Sequence, residues 1–127
     1  MEDMALIAAG VIGTCVAVAH GVLTQRLIVV PIEALFRQDG HTAPAIFRLV
    51  PLLLHLSTIS WFLGGLTLVA AALWFDADAR LATAWFVGSL YLFGAAGNLW
   101  GTRGRHPGWL VLALALALIV AGASTGG

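Results

Sequence analysis

The side chains of this sequence that could do chemistry are two histidines and a few amide, hydroxyl and guanidinium groups. They lie within or beside otherwise apolar stretches, and they are His20, Gln25, Arg26, Arg48, His55, Thr58 and Asn98. An imidazole can ligate a metal or haem iron, relay a proton, or hydrogen-bond a neighbouring helix. Arg48 and His55 are seven residues apart, so a helix would carry both on nearly the same face. The sequence therefore predicts one polar cluster built around the two imidazoles.

This polar cluster has two interpretations, because a polar side chain inside an apolar stretch is costly to bury without a partner. In the functional interpretation, His20 and His55 bind a ligand, relay a proton or help to hold an anion. In the structural interpretation, the same imidazoles hydrogen-bond a neighbouring helix and fix how the helices pack. Either way, we expect the cluster to lie near one end of the apolar stretches, with His55 as its deepest member.

A cofactor or metal would have to use the same two imidazoles. His20 and His55 could ligate haem or a metal, or contact a quinone headgroup. No carboxylate lies inside an apolar stretch, and the single cysteine, Cys15, excludes an intramolecular disulfide. The sequence contains no phosphate-binding glycine loop, nucleophile motif or zinc-helix motif. We therefore expect a protein that acts without catalysis, as a transporter- or channel-like protein or as a subunit of a membrane complex. The alternative is a haem-, metal- or quinone-binding redox protein.

Four apolar stretches must position these groups, and they cover about residues 4–22, 46–75, 80–101 and 107–123. Hydrophobic residues make up 61% of the chain and charged residues only 9%, unlike a soluble domain. Each stretch has about the length needed to cross a hydrocarbon core of about 30 Å. The prediction is a single all-α domain over residues 1–127, a polytopic transmembrane four-helix bundle. Because the formal net charge is zero, nothing suggests a nucleic-acid partner.

The connection between the first two stretches predicts a further helix. Over Leu23–Arg37, the apolar residues recur at helical spacing, and Glu33 and Arg37 form a favourable pair four residues apart. We expect an amphipathic helix lying at the membrane interface, bent or started near Pro31. The second span begins either at Pro44, with a kink at Pro51, or only after Pro51.

Orientation follows from the arginines. Five of the six fall in the first and third connections, and only Arg80 falls in the second, beside Asp76 and Asp78, which we expect to cap the next helix. The positive-inside rule then places both termini outside. The absence of lysine and the Ala, Gly, Leu and Arg bias are typical of GC-rich bacterial genomes, so the predicted location is a bacterial inner membrane. A cleaved signal peptide ending near Ala19 is the alternative to a retained first span, although the acidic N-terminus disfavours it.

Small residues predict how the helices associate. They recur on one helix face in three stretches, at Gly13 and Ala17, at Gly94 and Gly101, and at Ala113, Ala117 and Ala121. Four short helices cannot bury all of these faces in a monomer, so we expect a homo-oligomer or an assembly with other membrane proteins in the lipid bilayer. The cationic turn with Arg103, Arg105 and His106 is expected to set topology and contact lipid headgroups.

The polar residues also carry a resemblance. His20 with Gln25-Arg26, Arg48 with the run from His55 to Trp61, and the run from Gly104 to Trp109 resemble a family of uncharacterised small bacterial four-helix integral membrane proteins. In that family the position of Gln25 is often a glutamate, so this chain lacks a carboxylate that its relatives would have there. The resemblance implies the fold and the same polar residues, and it implies no activity.

Overall fold

The computed structural model of the chain describes residues 2–40 and 43–124, and nearly all of them are helical. The elements are α1 (Glu2–Thr24), a π-helical turn (Gln25–Val29), α2 (Val30–Asp39), α3 (Pro44–Trp74), α4 (Ala77–Thr102) and α5 (Gly108–Ser124). No strand occurs in the described part of the chain, so the all-α prediction is confirmed. Since α1, the π-turn and α2 follow one another without a break, the described residues form four long helices.

The continuity of the first helix differs from the predicted separate interfacial helix. The π-turn closes with the backbone N–H of Val30 donating to the carbonyl of Gln25, one residue further back than in an α-helix. It directly precedes Pro31, which has no N–H to donate and whose ring would clash with the carbonyl of Leu27 in a regular helix. A wider turn absorbs that conflict and lets the helix continue into α2.

Two local predictions about α2 and α3 are confirmed. Arg37 and Glu33 form an ion pair at 3.3 Å, and Phe36 packs edge-to-face on Phe47 of α3 at 5.4 Å between ring centroids. Helix α3 begins at Pro44 and contains Pro51, so the earlier of the two predicted starts is correct. Before α4, the Asp76 carboxylate accepts a hydrogen bond from the Ala79 N–H at 2.9 Å, which is the predicted cap.

The long helices pack side by side, each antiparallel to the next. Helix α1 lies against α3 and α5, and α4 lies against α3 and α5. Glycines allow the closest approach, because a Cβ on Gly65 would come 2.5 Å from the Gly10 carbonyl oxygen. Gly13 likewise leaves the space that the Tyr91 ring occupies. The core consists of buried apolar side chains from all four helices, among them Leu6, Ala17, Trp61, Leu68, Tyr91, Leu112 and Ile119.

The small-residue face predicted on α1 is used inside the molecule, the one on α4 is used in part, and the one on α5 is not. Gly13, Ala17 and Gly94 are buried, whereas Gly101 is exposed and a Cβ there would meet nothing within 4 Å. On α5 the buried residues are Leu112, Ala115, Ile119 and Gly122, while Ala117 and Ala121 are exposed. The predicted packing face of α5 was therefore wrong for this chain's own core, because the bulkier neighbouring residues fill the space beside α4.

Two helical segments are long and apolar enough to cross a membrane, Asp3–Gln38 and Pro44–Trp74. Only 28% and 33% of their most apolar windows are buried, whereas a core helix of a soluble protein is covered on most sides. Helix α5 is apolar but shorter, at 17 residues. The outward surface carries many large apolar side chains, and an open apolar groove of about 250 Å³ runs between α4 and α5 beside Trp85.

Candidate functional site

The first part of the predicted cluster is a contact between His20 of α1 and Ser57 of α3. The His20 Nε2 atom lies 3.1 Å from the Ser57 hydroxyl and 3.3 Å from the hydroxyl of Thr24, one turn further along α1. A hydroxyl can donate or accept, so the two partners suit either tautomer of the ring. The His20 ring also lies 4.7 Å from the Trp61 indole. This imidazole is therefore held between two helices.

The second part is a contact between His55 of α3 and Gln25, the first residue of the π-turn. The His55 Nε2 atom lies 2.9 Å from the Gln25 amide oxygen. Since an amide oxygen only accepts, His55 donates through Nε2–H, and the Nδ1 of the neutral ring keeps its lone pair. We call the set of His20, Thr24, Gln25, His55 and Ser57 the α1–α3 seam.

The depth order in the seam is the reverse of the predicted one. His20 pairs with Ser57 and touches Trp61, whereas His55 pairs with Gln25, nearer the polar end, where α3 and α5 begin and α4 stops. The prediction of His55 as the deepest member is wrong for two reasons. Helix α3 begins as early as Pro44, and α1 continues beyond Val22 into the π-turn.

Thr58 lies beside the seam, against Gly21, and its side chain makes no hydrogen bond with the described residues. Its hydroxyl oxygen is buried and lacks a hydrogen-bond partner. The backbone of Gly21 covers it so closely that a Cβ there would come 2.8 Å from the Thr58 methyl carbon. An unsatisfied buried hydroxyl is costly, so Thr58 marks a position where the seam is not optimised for stability alone.

The other three predicted members lie apart from the two histidines. The Asn98 amide donates to the Gly94 carbonyl of its own helix at 2.9 Å. Arg26 and Arg48 are exposed, and neither forms a hydrogen bond or ion pair with the described residues. The structure thus brings together His20, Gln25, His55 and Thr58, and it leaves the guanidinium groups and Asn98 outside.

Sequence reasoning missed three partners. Ser57, Thr24 and Trp61 complete the surroundings of His20, and only the spacing of four between His20 and Thr24 could have indicated one of them. A second polar contact was also missed at the opposite end of the molecule. There Arg80 donates to Asp3 at 2.6 Å and to the Ala72 carbonyl at 3.3 Å, and so links α1, α3 and α4.

The seam does not accommodate a haem between its two imidazoles. A bis-histidine haem needs the width of its macrocycle between the rings, but α1 and α3 touch at Gly21 and Thr58. Both Nε2 atoms are also engaged with protein partners. No group of three histidine, cysteine or carboxylate side chains suited to a metal occurs among the described residues. The Nδ1 of His55 remains the ring atom to which a headgroup at the polar end could donate a hydrogen bond.

The predicted cationic turn closes α4 and is rigidly built. Arg103 and Gly104 both have positive φ, at 52° and 75°. The Gly104 N–H donates to the Leu99 carbonyl at 2.9 Å, and the Trp109 indole N–H donates to the Gly104 carbonyl at 3.5 Å. His106 is exposed in this turn, whereas His41 lies outside the described residues.

Comparison of the chain with models of known protein families, with curated proteins and with solved structures finds no match.

Proposed function

We propose that this chain is a small multi-pass protein of the bacterial inner membrane that acts without catalysis, in an oligomer or as a subunit of a larger membrane complex. The observation that carries the proposal is the exposed apolar surface of the two longest helical segments, Asp3–Gln38 and Pro44–Trp74. Only 28% and 33% of the residues in their most apolar windows are buried. In water such a surface would aggregate, whereas lipid or a partner helix covers it at no cost. The proposal includes membership of the four-helix membrane family that the motifs resemble.

The distribution of charged and aromatic groups supports four spans with both termini outside. Arg80 is paired with Asp3 at one end, beside the exposed Trp74 and Trp85. The other five arginines lie toward the opposite, polar end, in the π-turn, in α2, near the start of α3 and in the turn after α4. Trp100, near the end of α4, is 87% exposed there. Charged groups and tryptophans at both ends of the helices are typical of a membrane protein, which meets one lipid–water interface at each end. Helix α1 also supplies buried core residues, which favours its retention over cleavage as a signal peptide.

The interior supports an assembly rather than a pore through one copy. Beyond His20 and Trp61, the described core is fully or almost fully buried, and apart from the Tyr91 hydroxyl, which donates to the Trp61 carbonyl, its large side chains are apolar, such as Leu6, Leu68 and Ile119. A polar path for an ion or solute would therefore have to form between copies or between this chain and a partner. A transporter- or channel-like role is proposed only for such an assembly, with the seam open at one end.

Reporter fusions test the orientation. A fusion after Gly127 should be active with alkaline phosphatase and dark with green fluorescent protein, because the C-terminus is proposed to lie outside the cytoplasm. A fusion after Gly104 should give the opposite pair of results, which provides an internal control. Fluorescence at Gly127 together with phosphatase activity at Gly104 would reverse the proposed topology.

Disulfide crosslinking tests the assembly. In a Cys15→Ser background, Ala117→Cys places the chain's one cysteine on the exposed face of α5. We expect oxidation in native membranes to give a covalent dimer, or an adduct with another membrane protein. Ala115→Cys is the matched control, because it lies on the same helix and is fully buried. Gly97→Cys probes the exposed face of α4 in the same way. Monomer alone with both surface cysteines would refute the assembly.

The redox alternative uses the same seam and is favoured by one observation, the Nδ1 of His55 near the polar end, which accepts no hydrogen bond from the described residues. A quinone headgroup would approach that atom without separating α1 from α3. Absorption spectra and metal analysis of protein purified from its native membrane, followed by extraction of bound quinone, distinguish this role. A stoichiometric quinone lost in His55→Ala would replace the non-redox proposal.

A further inference from the structure

The cationic turn between α4 and α5 has its shape fixed by its own hydrogen bonds. Besides the Gly104 and Trp109 bonds, the His106 N–H lies 3.4 Å from the Thr102 hydroxyl, and that hydroxyl donates to the Asn98 carbonyl at 2.7 Å. A turn that is ordered before its ligand arrives loses little conformational entropy on binding. The backbone that carries the exposed side chains of this turn therefore has its conformation before a ligand binds.

The direction of the His106 ring bonds decides what it offers outward. Its Nδ1 atom accepts a hydrogen bond from the Gly108 N–H at 3.1 Å. The neutral ring must then carry its proton on Nε2, so this exposed histidine presents an N–H donor. It stands next in sequence to Arg105 and three residues from Arg103, both exposed.

Nothing on the described protein surface satisfies these donors. The two ion pairs among the described residues are Arg37 with Glu33 and Arg80 with Asp3, and neither includes the turn. Arg103 and Arg105 thus offer planar forks of N–H donors, the geometry that binds a phosphate group through two parallel hydrogen bonds. A carboxylate of the protein does not compete for them within the described residues.

Tryptophan brackets the turn on both sides. Trp100 in the last turn of α4 is 87% exposed, and Trp109 follows in the first turn of α5. Exposed tryptophan in membrane proteins settles at the level of the lipid headgroups. In the membrane location proposed above, Arg103, Arg105 and His106 therefore lie at the depth of the lipid phosphates.

We propose that the cationic turn is a binding site for the phosphate of an anionic phospholipid headgroup. Arg103 and Arg105 bind the phosphate oxygens, and His106 donates a further hydrogen bond through Nε2. The inference rests on the proposed membrane location, but it requires neither the assembly nor any role of the seam. A headgroup held there would be recognised by its charge and by its phosphate, with the acyl chains along the exposed apolar surface beside Trp100.

Lipid titration of the purified full-length protein tests this site. Native mass spectrometry would follow retention of phosphatidylglycerol and, separately, phosphatidylcholine by the wild type. We expect phosphatidylglycerol to be retained about tenfold better, and the R103Q/R105Q variant to lose most of that preference. The matched control is R26Q/R48Q, which removes two exposed arginines at the same end that form no ion pair with the described residues, and it should keep most of the preference. His106→Ala should lower the preference for phosphatidylglycerol about threefold, because it removes the Nε2–H donor.

The outcomes of this titration support or overturn the proposed site as follows. Equal losses in the two double variants would mean diffuse attraction and would overturn the site, as would an absent preference in the wild type. Displacement of phosphatidylglycerol by an equal concentration of inorganic phosphate would reassign the site to a soluble anion. If R103Q/R105Q does not fold, R103K/R105K keeps the charge, and its loss of preference without loss of binding would support bidentate recognition. A protein that inserts and crosslinks as proposed but ignores headgroup charge would refute this inference alone.

Discussion

Replacing Gly65 by valine should force α1 and α3 apart and cost the protein most of its stability. A Cβ at this position would lie 2.5 Å from the Gly10 carbonyl oxygen and 2.9 Å from the Thr14 backbone nitrogen. These are backbone atoms, so no rotamer change can relieve the overlap, and the expected loss is about 3 kcal/mol or more. Separation of the two helices would also break the contacts of the seam.

Gly97→Val is the control, because a Cβ there meets nothing within 4 Å and the position also lies inside a long helix. Thermal unfolding in detergent, followed by circular dichroism, compares the two variants with the wild type. We expect Gly97→Val to unfold close to the wild-type temperature and Gly65→Val well below it. Similar losses in both would show that valine is disfavoured for reasons other than the contact between α1 and α3.

Replacing Trp61 by alanine should have the second largest effect, because this side chain joins three helices. Trp61 is 5% exposed, packs on Gly94 of α4 and lies 4.7 Å from the His20 ring of α1. Removing the indole leaves a cavity that the glycine cannot fill, and the expected loss is about 3–5 kcal/mol. Trp74→Ala, in the same helix but 77% exposed, should cost far less.

A second readout separates cavity formation from a change at the seam. Without the indole the His20 ring is less covered, so its modification by diethylpyrocarbonate should become faster in Trp61→Ala under conditions where the protein is folded. His55 pairs with Gln25 away from Trp61, and its modification rate should not change. Unchanged reactivity of both histidines would contradict the packing of Trp61 over His20.

The helices could be predicted because their signals are local. The apolar stretches and the Asp76 cap depend on residues that are close in sequence. The same local signals left two possible starts for α3, and the structure shows that it begins at the earlier one, Pro44. The π-turn could not be predicted in this way. It depends on whether the helix tolerates Pro31 by widening or by breaking, and the packing of Phe36 on Phe47 favours a continuous helix.

The site was predictable in its residue types and not in its pairings. Which hydroxyl or amide meets His20 or His55 depends on the rotation and the axial shift of α1 against α3. Both are set by the contact of Gly10 with Gly65, which no spacing rule reveals. Asn98 was misplaced because a side chain that bonds the carbonyl four residues back satisfies itself within its own helix. The pairing of Arg80 with Asp3, 77 positions apart, is equally non-local.

The π-turn determines the direction in which the side chains of α2 point around the helix axis. An α-helix rotates by about 100° per residue, so the surplus residue in Gln25–Val29 sets the angular phase of everything that follows it. Removing one residue would turn α2 by roughly that angle about the common axis and carry Phe36 away from Phe47. The same change would rewind the turn that begins at Gln25 and shift its amide relative to His55. The one extra residue therefore sets the helix rotation that two separate contacts require, the packing of Phe36 on Phe47 and the hydrogen bond of His55 with Gln25.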